Sequence, residues 1–226
     1  MLHNPALRWH MVNTMAVSCL VQAPGRHLEH YRMKSGCLIW IIAAALLGAC
    51  ASQPREIPRI QMQGFSIAAP GGKDSPWIVA RQSPELTVIG KPGRFSGESF
   101  TMQATIIKLP VFDSGDALVR HVESTQRKEI DPTRHRLFKL EVVPQQIHAQ
   151  TCALSRMEAA ERAAADVSGS PVNTMLETLT LVCPHPQDPS HGINLAYAHR
   201  HFPEDVDPQF AQDGALLMQT LAFEPL

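Results

Sequence analysis

The chain has 226 residues, 44% of them apolar and 18% charged, and its 20 Lys and Arg against 21 Asp and Glu leave a net charge of −1. Basic residues gather into no run or stripe, which excludes the electrostatic footprint of a nucleic-acid-binding protein. With any leader set aside, the length suits one domain with its own hydrophobic core.

Residues 1–32 carry scattered His, Arg and Pro, with Met1, Met11 and Met15 among them, and no apolar period. They read either as a mis-assigned upstream start or as a long n-region lost with the leader. At Met33 the pattern changes. Arg32 and Lys34 give a small positive flank, and Leu38 to Leu47 is apolar without a charge. That run has the length of a secretory h-region, about 7–15 residues, and falls short of the roughly 20 that a spanning helix needs. Leu47-Gly48-Ala49-Cys50, which closes it, resembles the lipobox of bacterial lipoprotein signal peptides. The resemblance implies that 33–49 is a signal peptide, that Leu47, Gly48 and Ala49 are recognised by its peptidase, and that Cys50 becomes the lipidated N-terminus. Ala51 stands where an aspartate would retain such a protein on the inner membrane, so the implied location is the outer membrane, with the domain facing the periplasm. Several acyl chains hold firmly, since each buried methylene contributes about 0.8 kcal/mol.

Residues 50–61 are polar, with Pro54 and Pro58, and read as a short tether. Residues 62–226 then form a single globular domain. Its first expected strands are 64–70 and 77–82, split by a turn-forming "PGGKDSP". That glycine pair lacks the offsets of a phosphate loop, and no cofactor is expected. Residues 99–109 alternate, with Phe100, Met102, Ala104 and Ile106 on one face, which predicts a strand buried on that side. After Pro110 the period becomes helical: Asp113 or Ser114 caps a helix that shows Leu118, Val122 and Thr125 to the core. Further strands are expected at 135–143, 147–154, 174–183 and 192–202. "RMEAAERAAAD" (156–166) is ambiguous, its Ala and Glu favouring helix by propensity, and "VSGSPVN" after it reads as loop. Asp207-Pro208 then opens a last helix with Phe210, Ala211, Gly214, Leu217, Met218 and Leu221 on one stripe.

Strands in succession with two helices predict an α+β domain, a mostly antiparallel sheet packed with helices. This order, with "GFSIAAP", "CPHP", "NLAYAHRHFP" and "LLMQTLAF", is similar to small proteobacterial lipoproteins and to the PsbP-like α/β sandwich. PsbP-like domains are mainly non-enzymatic partners of larger assemblies, and the resemblance assigns no functional residue.

After cleavage, Cys50 takes the lipid and only Cys152 and Cys183 remain. In an oxidising periplasm they are expected to pair, and they lack the Cys-X-X-Cys spacing of reactive thiol chemistry. The sharpest candidate for chemistry is a histidine set. His185 and His191 flank "PQDPS", while His199 and His201 lie two apart on a strand and share a face. Together they offer ligands for zinc or copper. Equally, His199 and His201 continue the stripe of Ile193, Leu195 and Tyr197 and simply finish a core face at the sheet rim. No Gly-X-Ser-X-Gly elbow is present, and Glu98, Glu123, Glu158, Glu177 and Asp207 are scattered and read as solvated surface. Trp77 is expected to anchor the core of the first hairpin. Two functions follow. One is a membrane-tethered, non-catalytic binding or envelope-assembly module whose partners are the membrane and another envelope protein. The other is a periplasmic metal-binding protein or metal-dependent hydrolase using His185, His191, His199 and His201.

Overall fold

The computed structural model describes residues 59–70, 77–95, 97–165 and 171–226. The expected signal peptide 33–49, the lipobox with Cys50 and the tether as far as residue 58 lie outside the described residues, as do 71–76 of the glycine turn and 166–170 of the expected loop. Among the described residues there are ten strands and two helices: β1 (Arg59–Met62), β2 (Phe65–Ala68), β3 (Ile78–Gln82), β4 (Leu86–Pro92), β5 (Ser99–Lys108), α1 (Gly115–Glu129), β6 (His135–Ile147), β7 (Gln150–Ala165), β8 (Pro171–Pro184), β9 (His191–His201), α2 (Phe210–Gln219) and β10 (Ala222–Phe223). Seven strands form a sheet in the order β3-β4-β5-β9-β8-β7-β6, and β1-β2-β10 form a second, smaller one. Every strand pairing is antiparallel.

Alternation along the strands gives the large sheet two apolar faces. One carries Met102, Leu181, Ile193, Leu195 and Tyr197 and packs against β2 and α2 through Phe65, Ile67, Phe210, Leu217 and Met218. The other carries Ala153 and Val182 and packs against α1 through Leu118 and Val122. The helices therefore cover opposite faces, each closed by its own cluster of side chains that leave water on folding. Ser114 caps α1, its Oγ accepting the N–H of Ala117 at 3.2 Å. Asp116 in the first turn and Arg127 and Lys128 in the last complement the helix dipole.

Several boundaries differ from expectation. Residues 59–61, expected in the tether, belong to β1, an edge strand whose Arg59 guanidinium donates to Ser66 Oγ and to the Thr220 carbonyl at 3.0 and 2.8 Å. The expected strand 147–154 is broken by a two-residue turn in which His148 has φ +52°, a left-handed conformation that histidine tolerates. Its ring donates from Nε2 to the Leu221 carbonyl at 2.8 Å, tying the hairpin to the C-terminal segment. Residues 156–165 are strand, because pairing with both β6 and β8 outweighs their modest helical propensity. Residues 171–173 are strand too, at the start of β8. The last helix begins at Phe210, with Gln209 at its N-cap, while Asp207 and Pro208 form a turn in which the Asp207 side chain accepts the Gln209 N–H at 2.9 Å. Trp77 packs half-buried against the core.

Candidate functional site

Two polar constellations lie on opposite faces of the large sheet. The first is built by register. Across β5, β9 and β8, His199 stands opposite Phe100 on one side and Glu177 on the other, and His201 stands opposite Met175. The period of two puts these side chains on the α2 face. Glu98 reaches the same place from the turn before β5, where the Glu98 carbonyl accepts the Gly93 N–H at 2.9 Å. Its carboxylate folds over Gly93, where any Cβ would collide with it, and accepts the backbone N–H groups of Arg94 and, at 3.3 Å, Phe95.

The tautomers follow from the partners. His199 Nε2 lies 2.9 Å from Glu98 Oε1, and a carboxylate accepts, so this nitrogen carries the proton. His201 Nδ1 lies 2.6 Å from the Phe202 carbonyl and donates to it. The remaining nitrogens, His199 Nδ1 and His201 Nε2, are buried lone-pair acceptors without a hydrogen-bond partner. His199 and His201 are 0% and 2% exposed, Glu98 4% and Glu177 8%. One ligand atom each from Glu177, His199 and His201 lies within 4.8 Å of the others. The rings of Phe100, His199 and His201 stack in sequence, at 4.1 and 4.6 Å between centroids.

Electrostatics sort these groups. Burial and the neighbouring His201 lower His199 below the ordinary imidazole value, against the pull of Glu98, and keep it neutral. Burial would raise Glu98, but its hydrogen bonds to His199, Arg94 and Phe95 outweigh that and hold it below the usual carboxylate range. Glu177 is raised by burial, although His201 and Arg156 oppose the shift. Arg156 sits 3.7 Å from Glu177 and closer, at 3.3 Å, to Glu158.

The second constellation lies under the C-terminal end of α1. A cavity of about 200 Å³ is lined by Gln126, Arg134, His135, Ser155, Thr178 and Thr180 among others. Gln126 Oε1, His135 Nε2 and Thr178 Oγ1 are buried there without partners. Beside it, Arg200 crosses over β8 to grip Glu161 on β7 with two bonds of 2.8 and 3.0 Å. Thr174 donates to the same carboxylate at 3.2 Å.

The four candidate histidines separate. His199 and His201 come together, but His185 and His191 do not join them. His185 Nε2 lies 3.0 Å from the carbonyls of both Gly64 and Glu224, and its Nδ1 accepts the Gln187 N–H. It thus ties the turn between β1 and β2 to the C-terminal segment. His191 pairs with Asp188 at 2.7 Å on the surface, where hydrogen bonds from Ser190 and His191 lower the aspartate to about 2. The expected fourfold set is therefore corrected: the partners of His199 and His201 are Glu177 and Glu98, two acids read as solvated surface. Their signal was present in the alternation. Glu177 occupies the apolar phase of Met175, Leu179, Leu181 and Cys183, and Glu98 that of Phe100, Met102 and Ala104. The Cys152–Cys183 disulfide is present, closing the core between β7 and β8. No protein-family model and no curated protein matches the chain.

Proposed function

We propose that this chain is a lipid-anchored envelope protein whose single α+β domain, a PsbP-like sandwich, is a non-catalytic module that binds a small polar molecule between α1 and the large sheet. Its place rests on Leu47-Gly48-Ala49-Cys50 behind an h-region of secretory length, which sends the domain to the periplasmic face of the outer membrane with Cys50 acylated. A disulfide in the core accords with an oxidising compartment. The observation that carries the binding role is the cavity of about 200 Å³ lined by Gln126, His135 and Thr178, whose Oε1, Nε2 and Oγ1 atoms are buried without hydrogen-bond partners. An unsatisfied buried polar group is costly, and a ligand in the cavity that reaches these atoms supplies the missing bonds. The sequence has no Gly-X-Ser-X-Gly elbow and Cys152 is tied to Cys183, so neither serine-elbow nor thiol chemistry is part of this reading.

Intact mass of protein extracted from native membranes tests both halves. The expected species starts at Cys50, carries acyl groups and gains the mass of two hydrogen atoms on reduction. An unlipidated mass starting at Met1 overturns the location. Under native spray the wild type should retain a small organic adduct that Thr178→Leu, which fills the cavity with an apolar side chain, loses. A wild type without any such adduct overturns the binding role.

A further inference from the structure

We propose that Glu177, His199 and His201 form a binding site for one divalent transition-metal ion, with Glu98 and the Phe202 carbonyl orienting the two imidazoles. This site lies on the α2 face of the sheet, is separate from the cavity under α1, and does not rest on the ligand proposed for that cavity. Three observations carry it.

The first is donor identity. Two imidazoles and one carboxylate are the set that zinc takes in open, three-ligand sites, and that iron and manganese accept as well. The second is the orphaned lone pairs. His199 Nδ1 and His201 Nε2 are buried and meet no donor, and an unsatisfied buried acceptor is costly in a native fold. A cation satisfies both at once. The third is the supporting shell. Each histidine gives its other N–H to an oxygen, His199 to the Glu98 carboxylate and His201 to a backbone carbonyl. Metal-binding histidines are held in this manner, which fixes the tautomer and aims the free nitrogen. Glu98 is itself pinned by two backbone N–H groups.

Charge favours a cation as well. Glu98, Glu177 and Asp207 act on this cluster, with Glu158 just beyond Glu177, while the cation bound to Glu177 is Arg156, which lies nearer to Glu158. One ligand atom from each residue lies within 4.8 Å of the other two, and the atoms that bind must draw in to the edge of about 3.4 Å that a tetrahedral site with bonds near 2.1 Å requires. Glu177 can supply most of that movement, since among the described residues its carboxylate is held by Arg156 alone, at 3.7 Å. Three protein donors leave a coordination position for water or a further ligand.

The experiment uses the full chain in detergent, stripped with a chelator and titrated with Zn²⁺ by calorimetry, and with Co²⁺ as an absorbing probe. One ion per chain is expected, with visible Co²⁺ bands of a four- or five-coordinate site. Glu177→Gln, nearly isosteric, should keep the far-ultraviolet dichroism and weaken the ion at least tenfold. Glu98→Gln should weaken it about ten- to a hundredfold through loss of the oriented imidazole. His191→Gln, which alters the exposed pair with Asp188, should leave affinity unchanged. Failure to bind either ion at submillimolar concentration overturns the proposal. So does binding that survives Glu177→Gln undiminished, or that His191→Gln abolishes.

Discussion

Cys152 and Cys183 lie on β7 and β8 next to the paired Ala153 and Val182, with Cα atoms 4.3 Å apart and a sequence separation of 31. Closing a loop of that length restricts the unfolded chain and stabilises the fold by about 3–4 kcal/mol in the chain-entropy account. The double variant Cys152→Ala, Cys183→Ala should therefore melt roughly 10 °C lower than the oxidised wild type, and reduced wild type should move the same way. Equal melting temperatures would mean that the β7–β8 hairpin is already closed in the unfolded ensemble. At this scale the sequence was informative where few alternatives existed. Once the expected leader and lipidated Cys50 are set aside, two cysteines have one pairing, whereas the histidines had several, and nothing local distinguishes His185, locked to two backbone carbonyls, from His199, whose one ring nitrogen is unmet. Partners on distant strands decide that difference.

Helix α2 owes its close approach to the sheet to one residue. A Cβ at Gly214 would lie 2.6 Å from Leu179 Cδ1 and 2.9 Å from the ring of Tyr197, both buried side chains. Gly214→Ala gains about 1 kcal/mol of helix propensity but forces a packed seam apart, which typically costs about 1–3 kcal/mol. The clash involves a stacked pair, Tyr197 over Phe210 at 5.2 Å, that has little room to yield. The net expectation is destabilisation by about 1 kcal/mol, read as a lower denaturant midpoint at unchanged slope. A midpoint above that of the wild type would show that Leu179 and Tyr197 shift freely. The stripe that contains Gly214 was legible from its helical spacing, and so were α1, β5, β8 and β9. Others were not, among them β1, which lay in the expected tether, and β10, which is only two residues long. β4 escaped because Leu86–Pro92 lies between proline-bearing turns and ends at Pro92, and the second half of β7 was ambiguous because Ala and Glu speak for helix by propensity while the sheet decides by pairing. The helix start was misplaced since Asp207 does accept an N–H, though that of Gln209 within a turn.

The large sheet separates two chemically different interiors, and the α1 side sets a pH response for the whole fold. His135 is buried at the start of β6, facing Glu161 of β7, with Arg134 and Asp131 beside it and Gln126 of α1 lining the same cavity. Burial lowers its affinity for a proton below the ordinary value of 6.5, and Arg134 adds to this, while Glu161 and Asp131 oppose without reversing it. Burial and Lys128 lower His121 on α1 in the same direction. For such groups the unfolded chain takes up protons at a higher pH than the folded chain does. Stability is then fully present above about 6.5 and is lost as pH falls toward the folded value. Each group contributes a slope of at most about 1.4 kcal/mol per pH unit within that window. Denaturant unfolding of metal-free protein between neutral pH and mildly acidic pH should show this decline, and His135→Gln, which keeps a polar side chain of similar reach, should flatten it. If wild type and variant fall in parallel, His135 takes up its proton equally in both states. The cavity would then have to supply that proton's charge with a partner, for which Glu161, already held by Arg200 and Thr174, is the nearest candidate.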